Sequence, residues 1–132
     1  MTPKVRAFLN RMLGDAGERL AARELRRKGL RIITRGYHSY HGEIDLIARD
    51  GDRLVFVEVK TRRQGTPAEA VTPEKQRRLT LTALEFLKRH HLLDAPARFD
   101  VVAIVWPEGG GAPQVEHIEN AFEAVGRYQM FR

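Results

Sequence analysis

Two apolar runs meet at Asp50-Gly51, and both carry charge where a strand interior is normally apolar. Gly42-Glu43-Ile44-Asp45-Leu46-Ile47 precedes the pair and Leu54-Val55-Phe56-Val57-Glu58-Val59-Lys60 follows it. An Asp-Gly pair between apolar runs is the strongest short hairpin signal, so the two runs are expected to pair antiparallel. With Asp50 and Gly51 as the loop, Arg49 faces Asp52, Ala48 faces Arg53, and Asp45 stands opposite Phe56. A loop from Arg49 to Asp52 keeps that register, whereas an odd-length loop reverses its parity. Period-two alternation then sorts the side chains. Val55, Val57 and Val59 share one face with Ile44, Leu46 and Ala48; Leu54, Phe56, Glu58 and Lys60 share the other with Glu43, Asp45 and Ile47. Asp45 lies diagonally across from Glu58, at roughly 7–8 Å between backbones, where both carboxylates can converge on one cation. A solvated strand face also holds charges. This face, however, carries Leu54, Phe56 and Ile47, and crowded like charges cost energy unless a cation or Lys60 offsets them.

The spacing D-x12-E-x-K over Asp45, Glu58 and Lys60 resembles the signature of the restriction-endonuclease-like (PD-(D/E)xK) nuclease superfamily. Four blocks in order are more specific: Gly14-x2-Gly17-Glu18-x2-Ala21, Gly42 to Ile47, Phe56-Val57-Glu58-Val59-Lys60-x-Arg62, and Arg98-Phe99-Asp100-Val101. Together they resemble the YraN-like family of small bacterial proteins of uncharacterised role, similar in fold to archaeal Holliday-junction resolvases. The resemblance covers roughly Gly14 to Ile118, with Ile44 where the superfamily name has proline. It implies an α/β fold with a restriction-endonuclease-like αβββαβ core, a mixed central sheet flanked by helices.

In chain order, Asp15 to Lys28 reads as a helix, with Asp15 and Glu18 as a capping box and Gly29 as the stop. Glu18, Ala21, Ala22 and Leu25 share the face that packs on a sheet, so Glu18 either caps the helix or reaches the Asp45/Glu58 pair. The resemblance places it at the metal site. Leu30 to Thr34 is a short strand, and Gly36 to Gly42 a loop whose aromatics, His38 and His41 suit contact with a nucleic-acid backbone or base. Those histidines lack a third ligand for a metal pair. Arg62 and Arg63 open a basic loop placed to meet phosphates. Thr72 and Pro73 start a second helix with a stripe over Gln76, Leu79, Ala83 and Leu87. Lys75, Arg77 and Arg78 crowd its first turns, unfavourable for the helix dipole and suited to a bound anion. The resemblance sets Lys75 and Gln76 near the site. Arg98 to Trp106 reads as a buried strand, joined to Leu54–Lys60 by a parallel crossover. Gln114 to Ile118 is a last strand, Asn120 to Val125 one helical turn, and the basic, aromatic tail an interface or frayed end.

The chain has 132 residues, one domain's length, with the basic segment 1–12 and the tail 126–132 as its flexible ends. A net charge of +6 and a pI near 10.2 favour a polyanionic partner, nucleic acid before membrane. The absence of cysteine excludes disulfides, thiolate metal sites and a thiol nucleophile. No apolar run approaches the roughly 18 residues needed to span a bilayer, and residues 1–13 lack signal-peptide features, so a cytoplasmic protein is expected. Asp45 and Glu58 with the Val59 carbonyl, supported by Glu18, suit Mg²⁺ or Mn²⁺, and Lys60 suits work on the attacking water. The expectation is metal-dependent phosphodiester hydrolysis in DNA, guided by shape rather than base sequence. The alternatives are a non-catalytic nucleic-acid-binding module of the same fold and a nuclease acting on RNA. Cutting two strands together would require a homodimer.

Overall fold

Thr2 and Pro3 start the first helix. The Thr2 hydroxyl accepts from the Val5 N–H at 3.2 Å, and Pro3 takes the first helical position, where no N–H is needed. The computed structural model describes residues 1–124 and carries this helix, α1, over Pro3–Arg27. The expected start at Asp15 is thereby corrected. Asp15 and Glu18 lie inside the helix, where backbone N–H groups already bond the preceding turn, so no capping box forms. The basic segment 1–12 is mostly helical. Gly29, at φ +92°, ends α1 as anticipated: the Gly29 and Leu30 N–H groups bond the Arg26 and Leu25 carbonyls in a Schellman motif.

The remaining elements are β1 (Arg31–Ser39), β2 (Gly42–Asp50), β3 (Arg53–Arg63), α2 (Pro73–Arg89), β4 (Ala97–Trp106) and β5 (Gln114–Phe122). The sheet runs in the order β1-β2-β3-β4-β5, with β3 and β4 parallel and every other pair antiparallel. The mixed α/β core and the parallel β3–α2–β4 connection match expectation. The ends of two strands differ. Strand β1 runs through Gly36, leaving only Tyr40 and His41 as turn instead of a loop from Gly36 to Gly42. Pairing with β2 and the edge contact of Tyr37 on Phe86, 5.2 Å between centroids, hold it extended. Strand β5 continues to Phe122, so Asn120–Phe122 is strand, not helical turn; Phe122 stacks on Phe99 at 4.8 Å. Val125 and the tail 126–132 lie outside the described residues.

The hairpin pairs Asp50 with Arg53 and Leu46 with Val57, a register two residues from the expected one. The loop is Gly51-Asp52, because Gly51, at φ +61°, takes the first loop position, the arrangement a type II′ turn demands. A shift of two preserves parity, so the faces mostly hold. Leu46, Ala48, Val55 and Val57 pack under α1 with Ala21, Ala22 and Leu25. Ile47, Leu54 and Phe56 pack under α2 with Leu79, Ala83, Phe86 and Leu87. Ile44 is the exception: it joins the α2 side rather than Leu46, so alternation fails across Asp45.

Helix α1 lies tight against the sheet at Gly17. A Cβ there would collide with the Thr61 Cγ2 methyl. Gly17→Ala should therefore lower stability by about 1 kcal/mol, even though alanine gains roughly that much in helix propensity. Gly17→Ala with Thr61→Ser removes the colliding methyl and should recover wild-type stability or better. Equal denaturant midpoints for the single and double variants would show that the close approach costs nothing.

Candidate functional site

Strands β2 and β3 part just beyond the Leu46↔Val57 pair. The next two residues are Asp45 and Glu58, directly across the strands rather than on the diagonal. The Val59 N–H donates to Asp45 Oδ2 at 2.7 Å, so a side chain replaces the next cross-strand backbone bond. This is where alternation fails, and where two carboxylates enter the otherwise apolar interior of the β2–β3 hairpin.

Burial first, then the Glu58 charge, pushes the Asp45 carboxyl up to about 7; the Val59 N–H pulls the other way, and Glu18 and Glu43 add to the rise. Glu58 is 7 % exposed. Its Oε1 accepts from Lys75 Nζ of α2 at 2.7 Å. Burial draws the Lys75 ammonium down, but the Glu58 hydrogen bond and charge outweigh it and hold Lys75 above the usual lysine value. Lys60 moves oppositely. Burial, then the adjoining Lys75 ammonium, lowers its pKa against Glu58 and Glu69, the latter 3.9 Å away. Glu18 enters half-buried from α1, one residue beyond the Gly17 contact. Its carboxyl is raised by burial, then by Asp15; Glu43 and Glu58 add, and Arg35 opposes. The notch therefore gathers acids from α1, β2 and β3 and lysines from β3 and α2.

Among the described residues, no three His, Asp or Glu side chains converge closely enough to hold a metal by themselves. The two facing carboxylates still fit a hard divalent cation. Asp45 Oδ1 and Glu58 Oε2 have no partner among the described residues. Mg²⁺ is commonly held by one or two carboxylates, with water and substrate phosphate completing its shell.

Other candidates lie around this notch or away from it. The Gln76 amide donates to the Val71 carbonyl at 2.8 Å and lines a cleft with Lys60. Arg77 pairs with Glu74 at 3.0 Å and Arg78 reaches it at 3.9 Å, both exposed, so Glu74 offsets these two cations. His41 is exposed in the β1–β2 turn, its N–H on Ser39 Oγ at 3.0 Å. Arg62 and Arg63 end β3 rather than starting a loop. A second charged cluster received no role from the sequence. Asp100, fully buried on β4, accepts from Arg98, the His117 ring and the Asn120 N–H. The signal for it was a carboxylate between Phe99 and Val101, the same kind that marks Asp45 and Glu58.

In the metal-free protein, Asp45 should set part of the pH dependence of stability. Its folded pKa, about 7, lies well above the ordinary aspartate range, so the folded state holds the proton more tightly. That stability is present below about pH 4 and is lost as pH rises through 7. Asp45→Asn should remove the loss. A shift this large converts to several kcal/mol, but water screening of this part-exposed group reduces it to about 1–2 kcal/mol at pH 8. Denaturant melts in EDTA at pH 5 and pH 8 test it. A variant-minus-wild-type difference that does not grow with pH would contradict the crowding.

The model of uncharacterised protein family UPF0102 matches residues 17–104. A UPF0102 protein of Rhodococcus opacus (strain B4) is 54% identical over 116 residues, covering 86% of this chain and 98% of the relative. One of Geobacter sulfurreducens is 53% identical over 119 residues, covering 86% and 91%. One of Rhodopirellula baltica is 53% identical over 123 residues, covering 89% and 74%. Among the described residues, no helix is long and apolar enough to cross a membrane. The four sequence blocks, three of which meet in or beside one notch, thus carry a true kinship, and the chain belongs to uncharacterised protein family UPF0102, the YraN-like family.

Proposed function

We propose that this chain is a metal-dependent nuclease that hydrolyses phosphodiester bonds in DNA and recognises a branch, flap or end rather than a base sequence. The observation that carries the reading is the facing pair Asp45 and Glu58 at a broken strand ladder, with Lys60 beside it. A module without catalysis gains nothing from crowding carboxylates where a polyanion must approach.

Asp45, Glu58 and the Val59 carbonyl would hold Mg²⁺ or Mn²⁺, with Glu18 in support. A divalent ion held by these residues would supply a lowered pKa for a bound water and charge stabilisation at the scissile phosphate. The protein's own groups do the rest. The Val59 N–H fixes the Asp45 carboxylate, leaving Oδ1 to face the site. Lys60, with its lowered pKa, can take a proton from the attacking water or hold the phosphate oxygens. Lys75 balances Glu58 while the site is empty of substrate and is free to turn to a phosphate afterwards.

One observation favours the second reading, a nucleic-acid-binding module without chemistry. Lys75 already neutralises Glu58, and such a pair stabilises the notch without any ion. Labelled single strands, duplexes, flaps and four-way junctions, as DNA and as RNA, decide between them in Mg²⁺, Mn²⁺ or EDTA. Cleavage that requires metal and prefers a branched or ended DNA is expected. Binding that is indifferent to metal, without cleavage of any substrate, would establish the module instead.

A further inference from the structure

Trp106 is the chain's single tryptophan, and it ends β4 in register with Arg63 at the end of β3. The Gln64 N–H on the Trp106 carbonyl, 2.8 Å, ties the two strand ends together. The first turns of α1 stand beside them. Between lies a cleft of about 610 Å³, lined by Arg6 of α1, Arg62 and Arg63 of β3, and Trp106, with Leu9 and Leu13 as its apolar wall. Among the described residues, no acidic one lines it. Among the described residues no carboxylate pairs with any of these three arginines, whereas Arg27, Arg77, Arg78 and Arg98 all have acidic partners. The Trp106 indole N–H is buried and lacks an acceptor among the described residues.

We propose that this cleft binds single-stranded nucleic acid, with a base against Trp106 and backbone phosphates on Arg6, Arg62 and Arg63. Cations beside an aromatic ring are the usual means of holding a single strand without reading its sequence. The volume is that of a small-ligand cleft, room for a nucleotide or two and not for a duplex. The position agrees, because crevices beyond the carboxyl ends of parallel strands are preferred binding places. Lys60 and Arg62 are two residues apart on β3, roughly 7 Å, about one step of a nucleic-acid backbone. A strand leaving the notch at Lys60 therefore meets Arg62 next and then the cleft. The proposal rests on the nucleic-acid reading given above, but not on catalysis.

The single tryptophan makes the test direct. Its emission is followed in the full-length protein in EDTA while thymidine and uridine octamers, a DNA duplex and thymidine monophosphate are added. Either octamer should quench it saturably, and DNA against RNA preference is read from the two curves. Arg6→Ala and Arg63→Ala should each weaken binding about tenfold and lower the slope of log affinity against log salt by about 1. Glu58→Gln should abolish cleavage and leave the quench unchanged. If wild type quenches but never cleaves, the nuclease reading fails while the cleft assignment stands. Anisotropy that reports a bound octamer with no change in emission overturns the proposal, as does no binding at all. Equal quenching by duplex, or monophosphate binding as tight as the octamer, overturns the single-strand assignment.

Discussion

Glu58→Ala should reduce metal-dependent cleavage by about 10³-fold or more while the protein remains folded. Polarisation by a bound ion contributes several kcal/mol to the transition state, and each 1.36 kcal/mol is tenfold in rate. Losing the more buried of the two carboxylates proposed to hold it would forfeit most of that. The stability readout separates this from unfolding. Removing Glu58 leaves Lys75 without its partner, but the Lys75 side chain is 35% exposed and can turn to water. The same substitution also relieves the like-charge pressure on Asp45. The two effects oppose, so the melting midpoint should move little. Lys60→Ala should likewise lose 10²–10⁴-fold in rate; substrate affinity nearly unchanged would mark proton transfer, and a matching loss of affinity would mark phosphate binding. Full cleavage by both variants would remove the notch as the site of chemistry.

The notch was legible because charge in a strand interior is conspicuous in sequence. Asp45, Glu58 and Lys60 stand among residues otherwise apolar. The faces of the hairpin could be read from parity alone, which survives a two-residue shift of register. The register itself depends on which loop position glycine takes, and Asp-Gly-Asp allows more than one answer. The start of α1 has the same Thr-Pro signature as α2, yet the cations Lys4, Arg6 and Arg11 scattered among apolar residues and the glycine at 14 mask the amphipathic pattern. Packing of Gly17 on Thr61 is tertiary and leaves no local trace. The second half of strand β1 reads as a loop in sequence because Gly36 breaks local propensity, and only β2 and α2 restore it. The Lys75–Glu58 ion pair joins residues far apart in sequence, so nothing local could announce it.

Asp100→Ala should destabilise the protein by about 3–5 kcal/mol, the cost of leaving buried charged partners uncompensated. That corresponds to a fall of roughly 10–20 °C in melting temperature for a domain of this size. The carboxylate is fully buried, and both of its oxygens are in use. Oδ1 accepts from Arg98 Nε at 3.0 Å and from the Asn120 N–H at 2.9 Å. Oδ2 accepts from the His117 ring at 2.7 Å and from the second Arg98 nitrogen at 3.3 Å. Lys28 donates to the other His117 nitrogen at 2.8 Å, so the ring proton belongs on the side facing Asp100. Arg98 reaches on to Asp50 at 3.1 Å. One carboxylate thus ties the end of β2, strand β4, strand β5 and, through His117, the end of α1. It also accepts the backbone N–H where β5 slips register past β4. Asp100→Asn keeps the shape but turns an amide N–H₂ toward donors, so it should recover only part of the loss. His117→Ala, which leaves Arg98 and Asn120 in place, should cost clearly less than Asp100→Ala. Because Asp100 pairs with Val57, the residue before Glu58, a functional role has to be told apart from a structural one. Well below its melting temperature, Asp100→Asn should therefore cleave at nearly the wild-type rate. A rate that collapses while the fold is intact would mean that this network holds Glu58 in place, and that its effect reaches the chemistry directly.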